Sequence, residues 1–174
     1  MIALLGIEGI VRMVIVLMGV AGAGKTTVGR RLAERMRWLF YDGDAFHSVM
    51  NIDKMKRGLP LSDEDRRAWL EELQSAMAQW VRQKVNVVLA CSLLKQSYRA
   101  QVLGGHGDVV KLVHLQASRL LLEQRLTGRT GHFAGVGLLG SQLELLEEPS
   151  DALVLDASGA PEQLVKDSVS AYGL

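Results

Sequence analysis

The eight residues Gly19-Val20-Ala21-Gly22-Ala23-Gly24-Lys25-Thr26 constrain this chain more than any other stretch. They match G-x-x-x-x-G-K-[ST], in which glycines let consecutive backbone N–H groups turn inward around a phosphate. The motif requires a strand before it and a helix after it. Val14-Ile15-Val16-Leu17-Met18 is apolar on both faces, as a buried parallel strand must be, and residues 25–37 read as a helix. The positive end of that helix adds to the amide cradle. Lys25 can reach the β- and γ-phosphates of a nucleotide, and the Thr26 hydroxyl can hold Mg²⁺. The loop therefore predicts nucleotide binding and leaves the phosphate acceptor open.

Strand-like runs alternate with helical patterns along the rest of the chain. Leu39-Phe40-Tyr41 predicts a second strand. Ser62 opens a long helix, because Ser62 and Asp65 in the S-x-x-D pattern can satisfy each other's free backbone N–H groups. Trp69, Leu73, Ala76 and Trp80 share one stripe of that helix and read as core. Residues 85–91, 109–115 and 153–155 predict three more strands, with helices over 95–103, 118–126 and 161–172. Residues 128–140 are glycine-rich and predict a mobile segment, a lid over about 127–140. Such alternation implies an α/β fold, a five-stranded parallel sheet with helices on both faces and its ligands at the carboxyl ends of the strands. No repeat, linker or low-complexity tract divides the 174 residues, so 1–174 reads as one domain with residues 1–12 as an N-terminal extension.

Charge and composition narrow the partners. Twenty Lys plus Arg against 19 Asp plus Glu give +1, so no basic field draws in nucleic acid. Cys91 is the only cysteine; no internal disulfide can form, and a reducing, cytoplasmic compartment is expected. Residues 1–20 are mostly apolar, yet Glu8 and Arg12 interrupt them and no A-x-A site follows, so neither a signal peptide nor a membrane span is expected. Met13 offers an alternative start. Four scattered histidines and one cysteine do not suit a zinc site.

An acceptor side is readable after the second strand, where Asp42-Gly43-Asp44 is followed by His47. With that strand beside the first, its end would face the phosphate loop. One carboxylate could order Mg²⁺ through water, and the other could orient or deprotonate an acceptor hydroxyl. Cys91-Ser92 ends the third strand, where many such proteins carry an acid. Lys95 and Arg99 lie four apart and should share a helix face near the same mouth. Arg125 and Arg129, also four apart, lead into Gly131-His132-Phe133 and suit a lid that neutralises charge on a transferred group.

Taken together, these stretches resemble the bacterial-type gluconokinases over about residues 13–156. The resemblance rests on M-G-V-A-G-A-G-K-T-T-V-G at 18–29, F-Y-D-G-D-A-F-H at 40–47 and N-I-D-K-M-K-R-G-L-P-L-S-D-E-D-R at 51–66. It continues through W-L at 69–70, A-C-S-L-L-K-Q-S-Y-R at 90–99, R-T-G-H-F at 129–133 and L-L-G-S-Q-L-E-L-L-E-E-P at 138–149. It implies a P-loop kinase fold of the nucleoside-monophosphate-kinase type, with ATP and Mg²⁺ as cofactors. The implied reaction is transfer of the γ-phosphate to the 6-hydroxyl of D-gluconate, by a cytoplasmic homodimer. By the same resemblance Lys25, Asp44, Arg125 and Arg129 are catalytic, and Thr26 and Asp42 serve the metal. ATP is held by residues 19–26 together with Thr27 and Arg125. Asp44, His47, Lys54, Arg66, Lys95, Arg99, His132 and Gln142 line the sugar-acid pocket. Ala21 and Ala23 stand where the family usually has serine, Leu93 where it has a small residue, Gln96 where it has lysine and Leu143 where it has phenylalanine. The alternatives are a related small-molecule kinase, of the shikimate or adenylylsulfate type, and a non-catalytic ATP-binding switch.

Overall fold

The structure, a computed structural model, describes residues 12–128 and 136–174. Val14–Met18 forms β1, and every one of its side chains is out of water. It pairs with β3 (Val87–Ala90) on one side and β4 (Val110–Gln116) on the other. β2 (Leu39–Asp42) adds to β3, and β5 (Leu153–Asp156) adds to β4. All pairs are parallel, in the order β2-β3-β1-β4-β5.

The expected five-stranded parallel sheet is present, but β2 does not lie beside β1; β3 is inserted between them. Burial accounts for the order. All four residues of β3 are buried, as an interior strand requires. Leu39 and Tyr41 of β2 are 50% and 37% exposed, which suits only an edge. The consequence for function is spatial. Asp42 pairs with Ala90, and Ala90 with Leu17. Two strand spacings, about 10 Å, therefore separate the end of β2 from the start of the phosphate loop. Side chains have to bridge that gap.

Alternate side chains of the sheet face two helical layers. Ile15, Leu17, Val113 and Leu115 pack with residues of α1 (Lys25–Met36) and α7 (Pro161–Ala171). Val14, Val16, Met18 and Leu89 pack with α3 (Asp63–Gln83) and α4 (Gln96–Leu103). Each fully buried aliphatic side chain of this kind contributes about 1.5–3 kcal/mol. α3 begins at the predicted capping box: Ser62 Oγ accepts from the Asp65 N–H at 3.1 Å, and Asp65 Oδ2 accepts from the Ser62 N–H at 2.9 Å. Ser118 caps α5 (Arg119–Thr127) more simply, its Oγ accepting from the Leu121 N–H at 3.3 Å.

Two helices depart from the sequence expectation. α2 (Val49–Lys56) was not legible because its first residues, Val49 and Met50, are 83% and 76% exposed and only the polar Asn51 is buried. It has no apolar stripe to read. α6 (Val136–Leu145) occupies the latter part of the segment expected to be a mobile loop. Leu138 and Leu139 are buried there. Their burial outweighs the roughly 1 kcal/mol that each of Gly137 and Gly140 costs a helix. Of the expected lid over about 127–140, Thr127 and Gly128 close α5 and 129–135 lie outside the described residues, as do residues 1–11 of the 1–12 extension. Among the described residues no helix is long and apolar enough to cross a membrane.

Candidate active site

The phosphate loop leaves the carboxyl end of β1 at the centre of the sheet. Gly19, Gly22 and Gly24 all have positive φ, at 143°, 84° and 98°. Gly24 is also the N-cap of α1, and only glycine adopts that φ freely. No side chain caps this helix, and its first turn carries no acid. α2, α3 and α5 each use a serine for that purpose. The start of α1 is thus suited to an anion from outside the chain. Val20 and Ala23 are buried and tie the loop to the core. Lys25 folds back along the loop, its Nζ donating to Gly19 O at 2.8 Å and Val20 O at 3.1 Å.

Neighbouring elements hold the loop from two sides. Gln142 on α6 accepts from the Ala21 N–H at 2.7 Å, which ties α6 to the loop. Arg125, in the last turn of α5, donates to Ala157 O at 2.7 Å and Gly22 O at 3.4 Å. Thr27 lines the cleft above α1.

The gap between β1 and β2 is closed by Thr26, whose hydroxyl donates to Asp42 Oδ2 at 2.9 Å. This places a hydroxyl and a carboxylate, both hard oxygen donors, beside the phosphate loop. Magnesium in nucleotide sites is bound by one or two such groups together with phosphates and water, so the donor set fits the ion. The other Asp42 oxygen, Oδ1, accepts from the Asp44 N–H at 3.1 Å. Asp44 stands on a short 3-10 turn, Gly43–Phe46, and lines the cleft. Gly43 sits directly on Cys91: a Cβ at position 43 would lie 2.6 Å from Sγ and 3.1 Å from Ala90 O. Burial pushes the Cys91 thiol pKa up, the Asp44 charge adds to this and Lys25 opposes it. Cys91, just past the end of β3, is thus the buried side chain on which the acid turn rests.

The far wall of the cleft comes from α3. The Trp69 ring stacks on His47 with centroids 4.5 Å apart and 9° between planes. Its Nε1–H donates to Gly43 O at 2.8 Å. Arg66 lines the same wall, donating to Leu61 O at 2.6 Å, with its guanidinium 5.9 Å from the centre of the Tyr98 ring. Burial first, and the Arg66 charge second, lower the His47 pKa from 6.5 to about 4. The imidazole is neutral at pH 7 and can both donate and accept.

That shift has a stability consequence. Since 6.5 in the unfolded chain exceeds about 4 in the fold, the unfolded chain takes up the proton first as pH falls. His47 thus has no effect above pH 6.5 and destabilises the fold increasingly as pH drops towards about 4. His47→Gln should flatten the fall in melting temperature over this interval. Equal slopes in the two proteins would contradict the assignment.

Other candidates are engaged in contacts within the chain. Lys95 is the N-cap of α4, and its carbonyl accepts from the Arg99 N–H at 3.2 Å. Its Nζ binds Asp63 at 2.9 and 2.8 Å, and the Tyr98 hydroxyl donates to the same carboxylate. The Lys95 hydrogen bond, then that of Tyr98, holds Asp63 below the usual carboxylate range. Arg99 is buried and donates to Leu93 O at 3.0 Å and Leu94 O at 2.9 Å. It braces the turn after β3, where Leu93 has a φ of 39°, and does not line the cleft. Lys54 pairs with Asp65 at 2.6 Å, which, with the Ser62 contacts, lowers the Asp65 pKa to about 2 and pins α2 to the start of α3. Arg129 and His132 lie outside the described residues.

The loop serves ATP, and the acid turn bridged to it leaves the other half of the cleft to a small acceptor: the class is a P-loop small-molecule kinase. A family model described as an AAA domain matches residues 14–149. The gluconokinase of Gluconobacter oxydans (strain 621H) is 45% identical over 137 residues, 79% of this chain and 76% of that protein. The thermosensitive gluconokinase of Escherichia coli (strain K12) is 42% identical over 134 residues, covering 77% and 71%. The crystal structure of a gluconokinase from Sinorhizobium meliloti 1021 superposes with a TM-score of 0.81 at 35% identity, covering 94% of this chain and 93% of that one. This chain belongs to the gluconokinase family. A shikimate kinase from Bacteroides thetaiotaomicron, 20% identical at a TM-score of 0.66 over 93% of this chain and 99% of that one, shares the fold alone.

Proposed function

We propose that this chain, as one domain over 1–174, transfers the γ-phosphate of ATP to the 6-hydroxyl of D-gluconate, giving 6-phospho-D-gluconate and ADP. The observation that carries the reading is the Thr26–Asp42–Asp44 bridge between the phosphate loop and the acceptor half of the cleft, in a chain with gluconokinases as relatives. Lys25 and the loop amides hold the β- and γ-phosphates. Thr26 and Asp42 would hold Mg²⁺, which when bound supplies positive charge against the transferred phosphoryl group. Asp44 takes the proton from the acceptor hydroxyl as the new O–P bond forms and the bond to ADP breaks. Arg125, which also holds the loop, adds positive charge beside the phosphates. His47, neutral, and Arg66, cationic, meet the hydroxyls and the carboxylate of the sugar acid. Arg129 belongs to the lid in this reading, His132 and Gln142 to the sugar-acid pocket, and Lys54, Lys95 and Arg99 support that pocket. A homodimer in the cytoplasm is part of the same reading.

The test is a comparative assay with Mg-ATP and, in turn, gluconate, shikimate and adenylylsulfate. Gluconate should be turned over and the other two should not. Turnover of shikimate with none of gluconate would overturn the reading.

A further inference from the structure

We infer that Trp69 is a positioning residue for phosphoryl transfer, holding the acid turn and the acceptor-side histidine in register through one ring; this rests on the reading above. The ring has two separate contacts, and each reaches a different part of the site. The indole N–H donates to Gly43 O, the carbonyl between the two carboxylates, at 2.8 Å. The ring face lies parallel on His47 at 4.5 Å. Neither contact is explained by core packing. A leucine or phenylalanine would fill the apolar stripe of α3 as well, with Leu73, Met77 and Cys91 as neighbours in the cluster. Neither of those carries a donor, whereas tryptophan has one at the edge of a flat apolar face.

The far end of the turn also meets α3, where Phe46 lies edge-on to Trp80 with ring centroids 6.3 Å apart; the carbonyl between the carboxylates is held by Trp69. Gly43 rests on Cys91, and Asp42 fixes the Asp44 N–H at 3.1 Å. Those contacts set the turn against the sheet and within itself. The Trp69 bond ties it to α3, the helix that also carries Arg66. A rotation of the turn about β2 would move Asp44 relative to the acceptor and would strain the Thr26–Asp42 bridge. Small misplacements of a reacting group are expensive in rate, up to about a hundredfold for 1 Å. The histidine is held more loosely on its other edge, with Asn51 Nδ2 3.5 Å from Nδ1, so the stack supplies most of its orientation.

The two contacts can be separated. Trp69→Phe keeps a flat face for His47 and removes the donor; Trp69→Leu removes both. Folded sites are counted by binding of a non-hydrolysable ATP analogue, and kcat is expressed per folded site. Trp69→Phe should lower kcat about tenfold and leave the KM for gluconate within about twofold of wild type. Trp69→Leu should lower kcat as much and also raise that KM about tenfold. A purely structural tryptophan would lower the number of folded sites and the melting temperature, with kcat per site and KM unchanged, and that result in Trp69→Phe overturns the inference. If Trp69→Leu fails to fold, the Trp69→Phe measurement decides alone. Wild-type enzyme that makes no phosphogluconate would overturn the underlying reading, and this inference with it.

Discussion

Asp44→Asn should lower kcat for gluconate phosphorylation by about 10²- to 10⁴-fold, the range a positioned general base contributes. ATP affinity should stay close to wild type. The separation follows from geometry. The backbone N–H of Asp44 closes the turn on Asp42, and asparagine retains that bond. Asp42 keeps its contact with Thr26, so the metal side is untouched. The change removes a negative charge and a proton acceptor without changing shape. It also removes the charge that, after burial, raises the Cys91 thiol pKa most. Full activity in Asp44→Asn, measured by coupled ADP release, would take Asp44 out of the mechanism.

Lys25→Ala should act on the other partner. Its ammonium is held at the phosphate loop by the carbonyls of Gly19 and Val20, at 2.8 and 3.1 Å. It stands where the helix start and the loop amides already favour an anion. Loss of one charge-assisted contact weakens binding by about 1.5–3 kcal/mol, or roughly tenfold to a hundredfold in the Kd for ATP. The rate should fall as well, because charge on the transferred group grows during transfer and the ammonium stands at the loop that would hold it. Isothermal titration with an ATP analogue reads the first effect and single-turnover kinetics the second. Wild-type affinity in this variant would undermine the assignment of the loop.

The two predictions rest on parts of the site that were legible to different degrees. Gly19 to Thr26 and the strand before them could be read directly, because phosphate binding by backbone requires those glycines between a buried strand and a helix. The capping box at Ser62 and Asp65 was equally plain. Strand order was not. β2 and β3 are both short, and only the exposure of Leu39 and Tyr41 tells which one is at the edge. Sequence order suggested that Asp42 was beside the loop. The structure places it a strand further away and recovers the contact through the side chain of Thr26. Arg99 shows a different limit. Helical spacing paired it with Lys95, but the buried guanidinium is spent on Leu93 and Leu94 carbonyls that no pattern announces. Trp69 was readable as core, and it is 3% exposed. Its second role lies in one N–H, whose partner is set by the packing of α3 against the acid turn.

The central claim is that the phosphoryl group goes from ATP to the terminal hydroxyl of a sugar acid. It is tested most directly by incubating the wild-type protein with Mg-ATP and D-gluconate and examining the product by phosphorus–proton correlation NMR. The account predicts ADP and a phosphomonoester whose phosphorus couples to the two protons on C6. ATP left intact, or phosphate carried at any other position of gluconate, would contradict it.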